Sequence, residues 1–143
     1  MKSRLLFLAT ITSLLVTTTA FASTVEFNIN GVNDDSSKLY VQIFKGEENY
    51  QNGNAESATI TKAKDGKASI SFTNLDKGDY ALRFFHDQNN NGKLETNLFG
   101  MPVEGYGFSN NAKPNFGPVS YQQIKFSVSE DDSKVVNEST VIY

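Results

Sequence analysis

Along most of this chain apolar and polar residues take turns, in short runs separated by turn formers. Val25, Phe27 and Ile29 alternate with Glu26, Asn28 and Asn30 until Gly31, and Leu39, Val41 and Ile43 form a second run that stops at Gly46. A two-residue period places every second side chain on one face of a strand. After a polar loop at residues 47–54 that holds Tyr50 and Gly53, Ala58 and Ile60 alternate with Thr59 and Thr61 in a third run. Lys64-Asp65-Gly66-Lys67 carries the Asp-Gly pair of a tight hairpin turn and leads into Ala68, Ile70 and Phe72. Next, Tyr80, Leu82 and Phe84 share one face of a run ending at His86, while Ala81, Arg83 and Phe85 share the other. Apolar groups on both faces predict a central strand. Ile124, Phe126 and Val128 predict a sixth strand, and residues 134–143 a seventh after the acidic turn Glu130-Asp131-Asp132. No helical stripe competes, so the pattern predicts an all-β chain folded as an antiparallel β-sandwich.

Residues 87–118 depart from this economy. They show no alternation and hold all three prolines, Pro102, Pro114 and Pro118, together with Gly92, Gly100, Gly105, Gly107 and Gly117. Connections between elements have a median of about 4–6 residues, and much longer ones are usually functional or disordered. Leu94, Leu98, Phe99, Met101, Val103, Tyr106, Phe108 and Phe116 give this segment apolar anchors that a solvated linker lacks. An ordered, functional loop is predicted.

Its first part, HDQNNNGKLETN from His86 to Asn97, has the spacing of a calcium loop. In such loops side-chain oxygens recur at every second residue, a glycine follows the third of them, and a backbone carbonyl and a further acid complete the shell. Asp87, Asn89 and Asn91 are the first three candidate metal ligands, Lys93 supplies the carbonyl position, and Glu95 the next. The match breaks at the twelfth position, which is Leu98 rather than a bidentate glutamate, so Asn97 or Glu104 would have to close the shell. Calcium is the expected cofactor, with affinity near the ~10⁻⁴–10⁻³ M of extracellular modules. The plainer reading of the same residues is an Asx-rich turn without metal, because Asp and Asn bond their own backbone and tolerate left-handed conformations.

The N-terminus changes the picture by setting the compartment. Lys2 and Arg4 precede a mostly apolar stretch at residues 5–16, and Ala20-Phe21-Ala22 ends in the small-x-small pattern of a cleavage site. Residues 1–22 are expected to be a signal peptide, leaving residues 23–143 as a single domain in the periplasm or outside the cell. The apolar stretch falls short of the ~20 residues of a spanning helix. No later segment is expected to span a membrane. Without the leader, Lys+Arg falls from 13 to 11 against 16 Asp+Glu, a balance of −5. That argues against nucleic acid as a partner. The chain has no cysteine, so neither disulfides nor thiol chemistry enters.

Two other motifs invite chemistry. His86, the single histidine, suggests a nucleophilic triad with Asp87 and either Ser109 or Ser120, yet Phe108-Ser109-Asn110 lacks the G-x-S-x-G elbow. The expectation is therefore that the protein is not an enzyme and has no catalytic residues, with a hydrolase using His86 as the remote alternative. Gly105-Tyr106-Gly107-Phe108 lacks the third glycine of a dinucleotide loop. Its aromatics are expected either to pack in the core or to form a binding platform, with Tyr106, Phe108 and Asn110 as the candidate ligand contacts.

The run from His86 to Asn111, with Gly100, Pro102, Glu104 to Phe108, Ser109 to Asn111 and then Phe116-Gly117-Pro118 and Tyr121, resembles the bacterial exported family termed domain of unknown function 2141. Departures are Gln88 where an acid is usual, Glu95 where aspartate is commoner, and Val119 where a second proline often stands. The turn Leu75-x-x-Gly78-x-Tyr80 is also similar to transthyretin-like and carboxypeptidase-regulatory sandwiches. These resemblances imply a Greek-key sandwich of about seven strands, accessory rather than catalytic, with a shared binding role for the long loop. Taken together, the expectation is a monomeric exported binding module for an unidentified protein or small ligand. The main rival is a purely structural module.

Overall fold

The computed structural model describes residues 23–143; the predicted leader and its cleavage site after Ala22 lie outside the described residues. Among the described residues eight strands form two sheets: β1 Ser23–Asn30, β2 Lys38–Lys45, β3 Ser57–Lys62, β4 Lys67–Leu75, β5 Gly78–Asp87, β6 Gly105–Phe108, β7 Phe126–Val128 and β8 Lys134–Thr140. One sheet has the order β4-β1-β8; the other runs β3-β2-β5-β6, with β7 also paired to β5. The all-β sandwich read from the alternation is the observed architecture.

The core lies between the sheets and is made by the alternating positions. Val25, Phe27 and Ile29 from β1 meet Leu39, Val41 and Ile43 from β2, and Leu82 and Tyr80 from β5, all wholly buried. Each such aliphatic or aromatic side chain contributes about 1.5–3 kcal/mol by leaving water. The Asp65-Gly66 turn joins β3 to β4 as expected, with both residues at positive φ, 54° and 73°. Asp35 clamps it by accepting the Asp65 and Gly66 N–H groups, at 2.7 and 3.0 Å.

Four details differ from the sequence reading. First, β8 pairs with β1 in parallel, so the sandwich is not wholly antiparallel. β8 arrives after the chain has crossed from β7 in the opposite sheet, and such a crossover is what a parallel pair needs. Second, Ile124 belongs not to the sixth strand but to a short helix, α2 Tyr121–Ile124, at whose start the Ser120 N–H donates to Gln123 Oε1 at 2.9 Å. Third, the polar loop after β2 holds a helical turn, α1 Glu47–Asn52, ended by Gly53 in the left-handed region. Fourth, the long connection from 87 to 118 contains β6, which raises the strand count to eight. Among the described residues no helix is long and apolar enough to cross a membrane.

The glycines explain how β6 joins the sheet. Gly105 and Gly107 are buried and point inward, where a Cβ on Gly107 would lie 2.5 Å from Phe84 ring atoms and one on Gly105 2.5 Å from the Tyr143 ring. Any side chain at either place would push the strand off the core. Tyr106 and Phe108, at the alternate positions, face outward.

Candidate functional site

Strand parity puts a second set of side chains on the outer face of the larger sheet. Register pairs Tyr40 with Phe85 and Gln42 with Arg83 across β2 and β5, and Phe85 with Tyr106 and Arg83 with Phe108 across β5 and β6. Two rows result, Tyr40-Phe85-Tyr106 and Gln42-Arg83-Phe108. Tyr40 and Phe85 stack with ring centres 4.8 Å apart, and Tyr106 and Phe108 meet edge to face at 6.0 Å. One end of this floor is sealed by a small apolar cluster in which Ala81, Tyr121 and Ile124 are buried against Tyr50, Phe108, Ala112 and Val119. Burial raises the pKa of the Tyr50 and Tyr121 hydroxyls, which stay neutral at physiological pH.

The long connection supplies the walls. Residues 95–103 form a small hairpin in which the Val103 N–H donates to the Glu95 carbonyl at 3.0 Å and the Asn97 N–H to the Met101 carbonyl at 2.8 Å. Asn97 Oδ1 accepts the N–H groups of Phe99 and Met101, at 2.9 and 3.1 Å, which fixes the tip. Phe99, Pro102 and Leu94 from this limb, and Pro114, Phe116 and Val119 from the other, line one cleft of about 960 Å³ over the aromatic floor. Phe99 is 89% exposed and Phe116 107% exposed, so neither contributes to the core. Phe116 also holds φ at +55°, an uncommon conformation for an aromatic residue.

The hairpin is tethered by carboxylates. Asp87, at the end of β5, is wholly buried, and its two oxygens accept the N–H groups of Asn91 and Gly92 at 3.0 and 2.9 Å. Asn89 Oδ1 accepts the Asn91 N–H at 3.0 Å and Asn91 Oδ1 the Lys93 N–H at 2.9 Å, a relay of Asx turns. Gly92, at φ +78°, sits close over the Tyr40 hydroxyl, which seats the turn at the edge of the floor. Glu104 is buried and ties the hairpin to the end of β5, accepting the Gln88 N–H at 3.0 Å and the Glu95 N–H at 3.3 Å.

These contacts bear on the cation. Asn89, Asn91 and Glu95 bond one another at the exposed surface of the turn, Asp87 is buried beneath them with the Asn91 and Gly92 N–H groups, and Lys93 joins through its N–H. The Glu95 carboxylate, however, is held by the side-chain amide groups of Asn89 and Asn91, each at 2.6 Å. Their oxygens are committed to the Asx turns, so N–H donors face the acid and the turn is satisfied by its own groups. Leu98, at the twelfth position, is fully exposed at the hairpin tip. Among the described residues no three histidine, aspartate or glutamate side chains converge as a metal set. The donor set therefore fits a cation only in part: the oxygens of Asp87, Asn89 and Asn91 already accept backbone N–H groups, and Glu95 would have to give up the Asn89 and Asn91 amides to reach an ion.

The triad residues are held by different partners. His86 is wholly buried; its Nε2 donates to the Asp34 carbonyl at 3.0 Å and its Nδ1 accepts from the Tyr143 hydroxyl at 2.9 Å. Ser109 is also wholly buried, its Oγ accepting the Leu82 N–H at 2.9 Å and donating to the Ile124 carbonyl. Ser120 stands at the start of α2. Of the candidate ligand contacts, Tyr106 and Phe108 lie in the cleft, but Asn110 does not. Its amide donates to the Gln123 and Lys125 carbonyls, at 3.1 and 2.8 Å, and pairs with Asn137, tying the loop to α2 and β8.

Sequence reasoning missed Tyr40, Arg83 and Phe85 as cleft residues. The signal was present in the parity of β5, whose second face carries Arg83 and Phe85, but that face has meaning only once the loop is known to arch over it. The sequence model of a family described as "Uncharacterized protein conserved in bacteria (DUF2141)" matches residues 27–136. No curated protein and no solved structure matches the chain.

Proposed function

The chain belongs to that bacterial family, whose description assigns no activity, and from the geometry of its long loop we propose that it is an exported, non-catalytic binding module for an apolar small molecule. The observation that supports this is the cleft itself. A floor of stacked aromatics is flanked by Phe99 and Phe116, both almost fully exposed, and hydrogen bonds fix the hairpin that carries Phe99. Contiguous exposed apolar surface on an ordered scaffold usually marks a binding site. A volume of about 960 Å³ is the size of a small-molecule pocket. The leader-like N-terminus supports a periplasmic or secreted setting.

Fluorescence titration with 1-pyrenebutanol, a neutral aromatic probe, tests the reading. Saturable binding to the wild type is expected, weakened at least about tenfold by the double substitution Phe99→Ala and Phe116→Ala, since large aromatic contacts at binding sites contribute about 1–2 kcal/mol each. Absence of saturable binding would reject it.

A second reading, that a calcium-type ion reinforces the wall, is favoured by the convergence of Asp87, Asn89, Asn91 and Glu95. Asp87, the two Asx oxygens, the Lys93 carbonyl and Glu95 would hold it, and its chemistry would be structural, cross-linking the turn. Thermal unfolding in millimolar calcium against chelator is the test. An upward shift in calcium that disappears in Asp87→Asn supports the ion, and coincident curves refute it.

A further inference from the structure

Every residue lining the cleft is uncharged except Arg83. It stands on the central strand β5, half-buried, in the middle of an aromatic floor. Its guanidinium carbon lies 4.7 Å from the centre of the Phe44 ring and 5.8 Å from that of Tyr50, and its Nε donates to Gln42 Oε1 at 2.9 Å. These contacts fix the group from below and from one side. Among the described residues no ion pair is made by Arg83 and no acceptor is bonded to its two terminal amino groups. Two cations near the start of β5, Lys45 and Lys125, do have carboxylate partners, Asp76 at 3.7 Å and Asp79 at 3.5 Å. The one cation in the cleft thus has no carboxylate partner among the described residues.

We propose that the ligand is an amphipathic monocarboxylate, its apolar body lying on the Tyr40-Phe85-Tyr106 row and its carboxylate on the free face of Arg83. The inference rests on the binding reading above and adds the head group. A neutral apolar ligand filling the cleft would strip water from the terminal amino groups of Arg83 and give nothing back, and an uncompensated buried charge is costly. A carboxylate restores both hydrogen bonds at once, because the planar guanidinium presents paired donors that match its two oxygens. A single cation matches a single negative charge, and a cleft of about 960 Å³ holds one molecule of moderate size.

The test compares 1-pyrenebutyrate with 1-pyrenebutanol, which share the apolar body and differ in the charge, by fluorescence titration of the purified protein. The carboxylate is expected to bind about tenfold or more tightly than the alcohol at low salt, as a charge-assisted pair in a partly desolvated site does, and the gap is expected to narrow as ionic strength rises. Arg83→Gln should abolish the preference, weakening the carboxylate while the alcohol, which no longer has to strip water from a charge, binds as well or better; Arg83→Lys should keep part of the preference. Equal affinities in the wild type, or a preference that Arg83→Gln leaves intact, would overturn the head-group assignment while alcohol binding upholds the cleft. If Arg83→Gln fails to fold, the wild-type salt series decides, and a preference indifferent to salt overturns the assignment. Failure of both probes to bind would overturn this inference and the reading beneath it together.

Discussion

At the scale of single residues, the two glycines of β6 and the polar groups around His86 carry the sharpest consequences. Gly107 is the point where β6 meets the core, with Phe84 occupying the space a Cβ would need. Gly107→Ala should destabilise the protein by about 1–3 kcal/mol, the usual cost of overpacking a filled core, and should loosen β6 before the rest of its sheet. Chemical denaturation measures the first, and amide exchange at Tyr106 and Phe108 the second. Asp34 is the other sensitive place. The Ser37 hydroxyl, then the Ser36 hydroxyl and N–H, bond its carboxylate and hold its pKa down from 3.8 to about 2. A depressed carboxylate stabilises the fold above its unfolded value and loses that contribution as pH falls through the folded one. Stability should therefore decline between about pH 4 and pH 2 in the wild type and decline less in Asp34→Asn over that window. The same residue's carbonyl accepts the His86 Nε2 proton, so disruption of this turn should also release His86, visible in its ring resonances. Coincident acid transitions for the two proteins would contradict the assignment.

The element that matters most is the connection between β5 and β7, and Asp87 is its anchor. Asp87→Ala removes the acceptors of two N–H groups in a buried corner, where bonds to a charged partner contribute about 1.5–3 kcal/mol each. Fast amide exchange at Asn91 and Gly92 is expected, with weaker probe binding and little change in the β4-β1-β8 sheet. Unchanged exchange would show that the turn is held by something else. This element also marks the boundary of what the sequence makes legible. Strands whose inward positions are Val, Ile, Leu or Phe announce themselves, as β1, β2, β4 and β5 do. β6 does not, because its inward positions are glycines required by Phe84, Val141 and Tyr143, contacts from distant parts of the chain. Ile124 fits the period of the following strand, yet the start of α2 at Ser120 turns it into a helix. The Asx spacing from Asp87 to Glu95 was readable as a convergent turn. That its amide nitrogens face Glu95 follows from three-dimensional packing alone.

For the whole molecule, one sheet face closes the core and the other is left for the loop to roof. The β-sandwich follows from alternation, but the parallel β1–β8 pair depends on how the chain crosses between sheets, which no local pattern encodes. The cleft has the same origin. Tyr40, Phe85 and Tyr106 are far apart in sequence and become one surface through strand register. Arg83 looks like an ordinary outward residue of a strand until Phe44, Tyr50 and Gln42 are seen to fix it beneath an apolar roof. On the proposed function this roofed face, and not the opposite sheet, receives the ligand. Amide and aromatic chemical-shift mapping during titration with 1-pyrenebutanol tests it most directly. Perturbations are expected at Tyr40, Phe85, Tyr106 and Phe108 and at the two loop limbs; shifts centred on the β4-β1-β8 sheet, or none at saturating probe, would overturn the cleft as the binding face.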